Sequence, residues 1–80
     1  MSSFQKYFYL QVGYRIRYYR LLRGLTQEEL SQILELNEKY IGHVERCERY
    51  ISCKVLIKLM NYFNINPTEF FDFDKKYFDN

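Results

Sequence analysis

Residues 26–45 read TQEELSQILELNEKYIGHVE, and this stretch decides the fold. Thr26 is a favoured N-cap residue, and Glu29 three positions later completes a capping box, so a helix should begin here. Its apolar side chains recur at helical spacing and fall on one face: Leu30, Ile33 and Leu34.

A second helix is predicted directly after a short turn. The apolar spacing breaks at residues 34–36, and Asn37 can then cap a helix over 37–45 in which Ile41 and Val44 point inward. The positions left pointing outward are polar or small: Glu38, Lys39, Gly42 and His43. A compact helix–turn–helix that exposes one polar helix has the geometry that enters a DNA major groove.

The flanking segments also predict helices. Residues from about 4 to 22 form a first helix, which Gly13 could kink and which ends at Gly24. Its rings could stack on single-stranded bases, because tyrosines alternate with arginines over residues 14–20, but helical spacing favours packing in the core. The residues with that spacing are Phe4, Phe8, Val12, Ile16 and Tyr19.

Two more helices complete the chain. Ser52 can cap a fourth helix that ends near Asn64, and Asn66-Pro67-Thr68-Glu69 is a start signal for a short fifth helix. The fourth helix has an apolar stripe: Val55, Leu56, Leu59, Met60 and Phe63. No segment alternates with period two, so the prediction is an all-α, five-helix compact bundle.

The composition limits the possible functions. Eighty residues predict one domain, with a core of about 12–71 and a C-terminal tail over 72–80. No apolar run approaches the roughly 20 residues that span a bilayer, and no signal-peptide cleavage pattern is present, so we expect a cytoplasmic protein without a membrane segment. Residues 1–25 carry five basic side chains and no acid, whereas 69–80 are acidic on balance, which suits one face turned toward phosphate.

Catalysis and metal binding are not expected. Cys47 and Cys53 lack the paired spacing of a zinc site and are predicted to be reduced thiols, and His43 is the only histidine. No glycine-rich phosphate loop is present, and no serine or cysteine is paired with the histidine by pattern. The sequence therefore predicts neither an enzyme nor a cofactor.

From about Val12 to Phe71 the chain resembles the Cro/cI-type (XRE-type) helix–turn–helix regulators. The matching segments are Ile16-Arg17, Arg20, Gly24 to Leu30, Tyr40 to Arg46, and the apolar positions Leu56, Leu59, Phe63, Ile65 and Phe70-Phe71. The resemblance implies a lambda-repressor-like domain that binds DNA. The length and residues 39–49 are similar to controller proteins of restriction–modification systems.

The resemblance also implies roles for individual residues. The base-reading face would comprise Glu38, Lys39, Tyr40 and His43, with Lys39 and His43 as the expected base contacts. Tyr40 would alternatively pack at the core edge or touch phosphate through its hydroxyl. Gln27, Arg46, Arg49 and Arg17 would contact phosphate, as Arg15 and Lys54 could. Arg20 and Glu45 would form a structural ion pair. Two turn positions that often hold glycine in the family are Glu35 and Cys47 here.

The expected function is a sequence-specific regulator, a repressor or autoregulator, that binds an inverted repeat in double-stranded DNA as a homodimer. The predicted dimer surface is the aromatic C-terminal end: Phe70, Phe71, Phe73, Tyr77 and Phe78. The alternative is a protein-interaction module, such as an antirepressor or antitoxin subunit, that kept the fold without specific DNA binding; Glu38 and the modest net charge of +2 favour it.

Overall fold

The computed structural model describes residues 2–74, and this part of the chain contains five helices and no strand. In chain order they are α1 (Ser3–Leu22), α2 (Gln27–Ile33), α3 (Tyr40–Glu45), α4 (Cys53–Phe63) and α5 (Pro67–Phe70). This confirms the predicted all-α class and the predicted number of helices. Cys47 and Cys53 are free and exposed.

Local capping sets most helix ends where the sequence predicts them. The hydroxyl of Thr26 accepts from the Glu29 amide while the Glu29 carboxylate accepts from the Thr26 amide, which is the predicted capping box. Ser52 accepts from the Val55 amide at the start of α4. Asn66 caps α5, with Pro67 at its first position.

The helices enclose one apolar core. Its most deeply buried apolar side chains come from all five helices: Val12, Ile16, Leu30, Ile41, Leu59 and Phe70. Two apolar positions on the predicted inward faces lie outside this core. Phe4, in the first turn of α1, is 71% exposed, and Ile33, at the end of α2, is 43% exposed.

Gly13 lies within α1, and the helix continues through it. A Cβ there would lie 3.1 Å from the carbonyl oxygen of Glu45 and 3.3 Å from that of Val44. Glycine therefore allows close packing of α1 against the end of α3.

The start of α3 also differs from the prediction. The helix begins at Tyr40, and residues 38–39 form a turn. The Asn37 carboxamide oxygen accepts from the Lys39 amide at 3.0 Å, so it closes a side-chain turn and does not cap the helix. Glu38 and Lys39 consequently precede α3.

Candidate nucleic-acid interface

A buried serine positions α3 against α2. Ser31 lies within the apolar face of α2, and its hydroxyl donates to the carbonyl oxygen of Gln27 at 2.9 Å. The same hydroxyl oxygen accepts from the amide of Ile41 at 3.2 Å. Because Lys39, the N-cap residue of α3, makes no side-chain capping bond, Ser31 supplies one from another helix. Sequence reasoning missed it, although a small polar residue between Leu30 and Leu34 was the available signal.

The other end of α3 is held to α1 by an ion pair. Arg20 donates from Nε to Oε2 of Glu45 at 2.7 Å and from Nη2 to Oε1 at 3.0 Å. Its Nη1 donates to the carbonyl oxygen of Leu25 at 2.7 Å. The exposed fractions of the two side chains are 9% and 5%, so this two-point fork is nearly withdrawn from water. The structure thus pairs the two residues that the family resemblance paired.

Glu45 has a third partner in α2. Gln27 donates from Nε2 to Oε1 of Glu45 at 3.0 Å, which fixes the plane of its carboxamide. A carboxylate at the end of α3 therefore joins three helices through side chains. Arg20 neutralises its charge, so Glu45 adds little repulsion toward an approaching anion.

A shallow cavity of about 300 Å³ lies between the first turn of α2 and the outer side of α3. Its lining combines predicted base-reading and phosphate-binding residues: Gln27, Glu28, Glu38, Lys39, Gly42, His43 and Arg46. Glu38 and Lys39 are exposed in the turn, and His43 is half-buried on the helix. The structure thus brings three of the four predicted base-reading side chains together.

A second cavity of about 290 Å³ shares Gln27 and Arg46 with the first. It adds Arg17 from α1, another predicted phosphate contact, and Tyr14, which the sequence suggested only as a core or stacking residue. The remaining lining residues are Gly13, Arg20 and Glu45. Residues from α1, α2 and α3 therefore form one continuous surface around Gln27 and Arg46.

Tyr40 supports this surface from beneath. Only 7% of the residue is exposed, and its hydroxyl accepts from the Ser52 amide at 3.2 Å. The guanidinium of Arg49 lies 4.6 Å from the centre of the Tyr40 ring. Of the predicted positions for Tyr40, the structure shows the one at the core edge, where its ring holds Arg49 beside α3.

Arg46 projects to the outside of α3 and donates a hydrogen bond to one acidic side chain. Its Nε donates to Oε1 of Glu48 at 3.2 Å, and both side chains are more than half exposed. An exposed pair of this kind contributes little to stability and is screened by salt. Arg46 can therefore exchange Glu48 for another anion.

The structure corrects the prediction that Arg15 could contact phosphate. It is 1% exposed, because its guanidinium turns toward the C-terminal segment and donates from Nη2 to the carbonyl oxygen of Asp72 at 2.6 Å. It also lies 4.7 Å from the centre of the Phe73 ring. Lys54 is exposed at the start of α4 and lines neither cavity.

One residue of the predicted dimer surface is corrected as well. Phe70 is fully buried, because α5 turns it into the core beside Tyr19. Phe71 and Phe73 are half-buried against Phe8 of α1, at ring-centre distances of 6.0 and 5.5 Å. Tyr77 and Phe78 lie outside the described residues.

Within residues 2–74, no group of three or more histidine, cysteine, aspartate or glutamate side chains is arranged to hold a metal ion. None of the helices in this range is both long and apolar enough to cross a membrane.

The two helices and the turn between them, with Lys39 and His43 on the outer side, define a helix–turn–helix protein. Comparison with known proteins agrees with this class. The family described as Helix-turn-helix matches residues 16–70. The chain belongs to this family.

Several relatives share this region. The chain is 43% identical over 49 residues to the control protein C.SmaI of Serratia marcescens, covering 61% of this chain and 58% of that one. It is 34% identical over 59 residues to the transcriptional regulator RamB of Mycobacterium tuberculosis, covering 74% of this chain but 12% of RamB. The chain thus corresponds to a small part of RamB.

A solved structure shows the same fold. The restriction–modification controller protein C.AhdI from Aeromonas hydrophila superimposes with a TM-score of 0.70 at 36% identity, over 79% of this chain and 96% of that one. The shared arrangement extends over nearly the whole controller protein. The fold of this chain is therefore that of the controller protein over the superimposed residues.

Proposed function

We propose that the chain is a sequence-specific, double-stranded-DNA-binding transcriptional regulator that reads the major groove with α3 and the turn before it. The observation that carries this proposal is the continuous surface around α3. It presents two kinds of side chain: Lys39, His43 and Glu38 for bases, and Gln27, Arg17 and Arg46 for phosphates. The kinship with control proteins and other transcriptional regulators supports it.

The chemistry of the side chains assigns their roles. Lys39 donates to guanine O6 and N7, and His43 donates to or accepts from a base edge. Glu38 accepts from cytosine N4, which also offsets its repulsion by phosphates. Arg17, Arg46 and Arg49 with Gln27 contact the backbone and set the register.

We further propose that the chain acts as a homodimer on an inverted repeat, as a repressor or autoregulator. A six-residue α3 reaches only a few base pairs, which is too little to specify a site. Two copies related by a twofold axis double the contacts, with half-sites about 34 Å apart.

A protein-interaction module is the second candidate, and acidic side chains beside α3 are the observation that favours it. Glu28 and Glu38 line the first cavity, and Glu48 pairs with Arg46. A basic protein partner would complement them. The regulators among the relatives weigh against this candidate.

Selection of bound duplexes from a randomised pool, at near-physiological salt, tests the two candidates. We expect an enriched inverted repeat whose affinity falls with salt, with a log–log slope of about −0.9 for each phosphate neutralised. Lys39→Ala should relax the sequence preference at one base position, whereas Arg46→Ala should lower the affinity for all duplexes alike. Lys6→Ala, which removes a charge outside both cavities, is the control. A folded protein that enriches no motif would favour the protein-interaction module.

A further inference from the structure

Gly42 lies on the outer side of α3, where the sequence predicts an outward-pointing position, yet the structure buries it. Two side chains cover it, one from α2 and one from the end of α3. A Cβ at Gly42 would lie 2.8 Å from Oε1 of Gln27 and 3.1 Å from Nη1 of Arg46. The carboxamide and the guanidinium therefore converge on the space that a side chain at position 42 would occupy.

The carboxamide of Gln27 has a fixed orientation at this place. Its Nε2 donates to Oε1 of Glu45 at 3.0 Å, which directs Oε1 toward Gly42 and Arg46. Glu45 is in turn held by the two-point fork of Arg20. Nε2 of Gln27 keeps a second hydrogen that it can donate to a phosphate, while its Oε1 lies beside the Arg46 guanidinium over Gly42.

We infer that Gly42 is a positioning residue for DNA binding. Its missing side chain lets Gln27 and Arg46 act together on one backbone phosphate, with Glu45 orienting the carboxamide. This inference rests on the proposed function and adds to it a residue that touches neither base nor phosphate. A donor pair drawn from two helices also fixes the angle at which α3 enters the groove.

The surroundings of Gly42 differ from those of Gly13. At Gly13 a Cβ would meet backbone carbonyl oxygens of Glu45 and Val44, which cannot move without shifting α3. At Gly42 it would meet the tips of two flexible side chains, which can swing away. Alanine is also a better helix former than glycine. Gly42→Ala should therefore fold well and displace the donors.

The first measurement compares the wild-type protein with Gly42→Ala in the full chain. We expect a melting temperature that is equal or higher and an affinity for the selected duplex about fivefold weaker, the effect of losing one hydrogen bond or more. The salt slope should become shallower by up to about 0.9, because Arg46 is displaced. An unchanged affinity and slope in Gly42→Ala would overturn the inference.

A mutant cycle in a background that carries both Gln27→Ala and Arg46→Ala separates displacement from a direct clash with DNA. If the added methyl acts by moving Gln27 and Arg46, Gly42→Ala should weaken binding less than about twofold once both are already alanine. An equal fold-change in both backgrounds would show that the methyl meets DNA itself, and this too would overturn the inference. Gln32→Ala, which removes an exposed carboxamide from the same helix, is the matched control.

The experiment distinguishes the two proposals. A wild-type protein that is folded and binds no duplex selectively contradicts the proposed function, and the positioning role with it. A wild-type protein that binds, beside a Gly42→Ala variant that binds equally well, contradicts the positioning role alone.

Discussion

At the scale of single residues, Glu45 connects stability with the candidate interface. Its carboxylate accepts from Nε and Nη2 of Arg20 and from Nε2 of Gln27, in a site where about a twentieth of the side chain is exposed. Removing one member of a nearly buried ion pair leaves the other charge without compensation. The same carboxylate orients a residue that is proposed to contact DNA, so one substitution should affect both properties.

Glu45→Gln should lower the free energy of unfolding by about 3 kcal/mol, because the Arg20 guanidinium then stays buried without a counter-charge. Urea denaturation monitored by circular dichroism measures the change. Glu48→Gln is the matched control, since Glu48 forms an exposed pair with Arg46 and should change stability by less than about 0.5 kcal/mol. Similar losses for the two variants would show that the buried pair has no special weight.

At the scale of elements, the two turns that flank α3 accept strained backbone. Glu35 and Cys47 have φ angles of 59° and 60°, in the left-handed region where the family often places glycine. A side chain there costs about 1 kcal/mol, because Cβ crowds the following carbonyl oxygen. At both positions the backbone therefore adopts the left-handed conformation and accepts the strain.

Glu35→Gly and Cys47→Gly should each raise the free energy of unfolding by about 0.5–1 kcal/mol, the strain relieved less the greater entropy of glycine in the unfolded chain. Thermal and urea unfolding of the single and double variants test this. The two turns share no partner in the described structure, so the effects should add. A loss of stability in either variant would mean that its turn is not strained.

Ser31 stabilises the packing of one helix on another, because its hydroxyl caps α3 from α2. Ser31→Ala should leave the buried amide of Ile41 without an acceptor and lower stability by about 1–3 kcal/mol. Hydrogen exchange provides a local measurement, since the Ile41 amide should exchange much faster in the variant. Ser52→Ala, which removes the local cap of α4, should leave Ile41 protected. Unchanged exchange at Ile41 in Ser31→Ala would contradict the capping role.

At the scale of the whole molecule, two segments outside the matched region 16–70 pack on each other. The part of α1 before residue 16 contributes Phe8 and Arg15, and the segment after α5 contributes Phe71 and Phe73. Arg15 holds this segment through the Asp72 carbonyl oxygen. The helix–turn–helix core thus carries an aromatic cluster that joins the two ends of the described chain.

Phe73→Ala should lower the free energy of unfolding by about 1–2 kcal/mol, because it removes a half-buried ring and the contact with Arg15. Phe4→Ala, at a ring that is largely exposed, should change stability much less. Denaturation combined with light scattering separates two possible roles. A halved mass with unchanged stability would instead support Phe73 as a contact between two copies.

Local signals in the sequence were sufficient for the number of helices and the class of protein, but they misplaced the start of α3. Capping boxes, the αL position at Gly24 and the proline at the start of α5 depend on residues within one turn of each other, so they can be recognised without the fold. The order of the motifs along the chain can likewise be recognised without the fold, and it places Lys39 and His43 at the start of α3 and within it.

The tertiary structure decided what each side chain meets. Arg15 and Arg17 stand two positions apart on α1, yet one is buried under Phe73 and the other lines a cavity beside α3. Phe70 and Phe71 are adjacent, yet only Phe70 enters the core. Gly42 is an open outer position by periodicity, but Gln27 and Arg46 cover it. These differences arise from helices distant in sequence, because periodicity specifies which way a residue faces and only packing specifies what lies there.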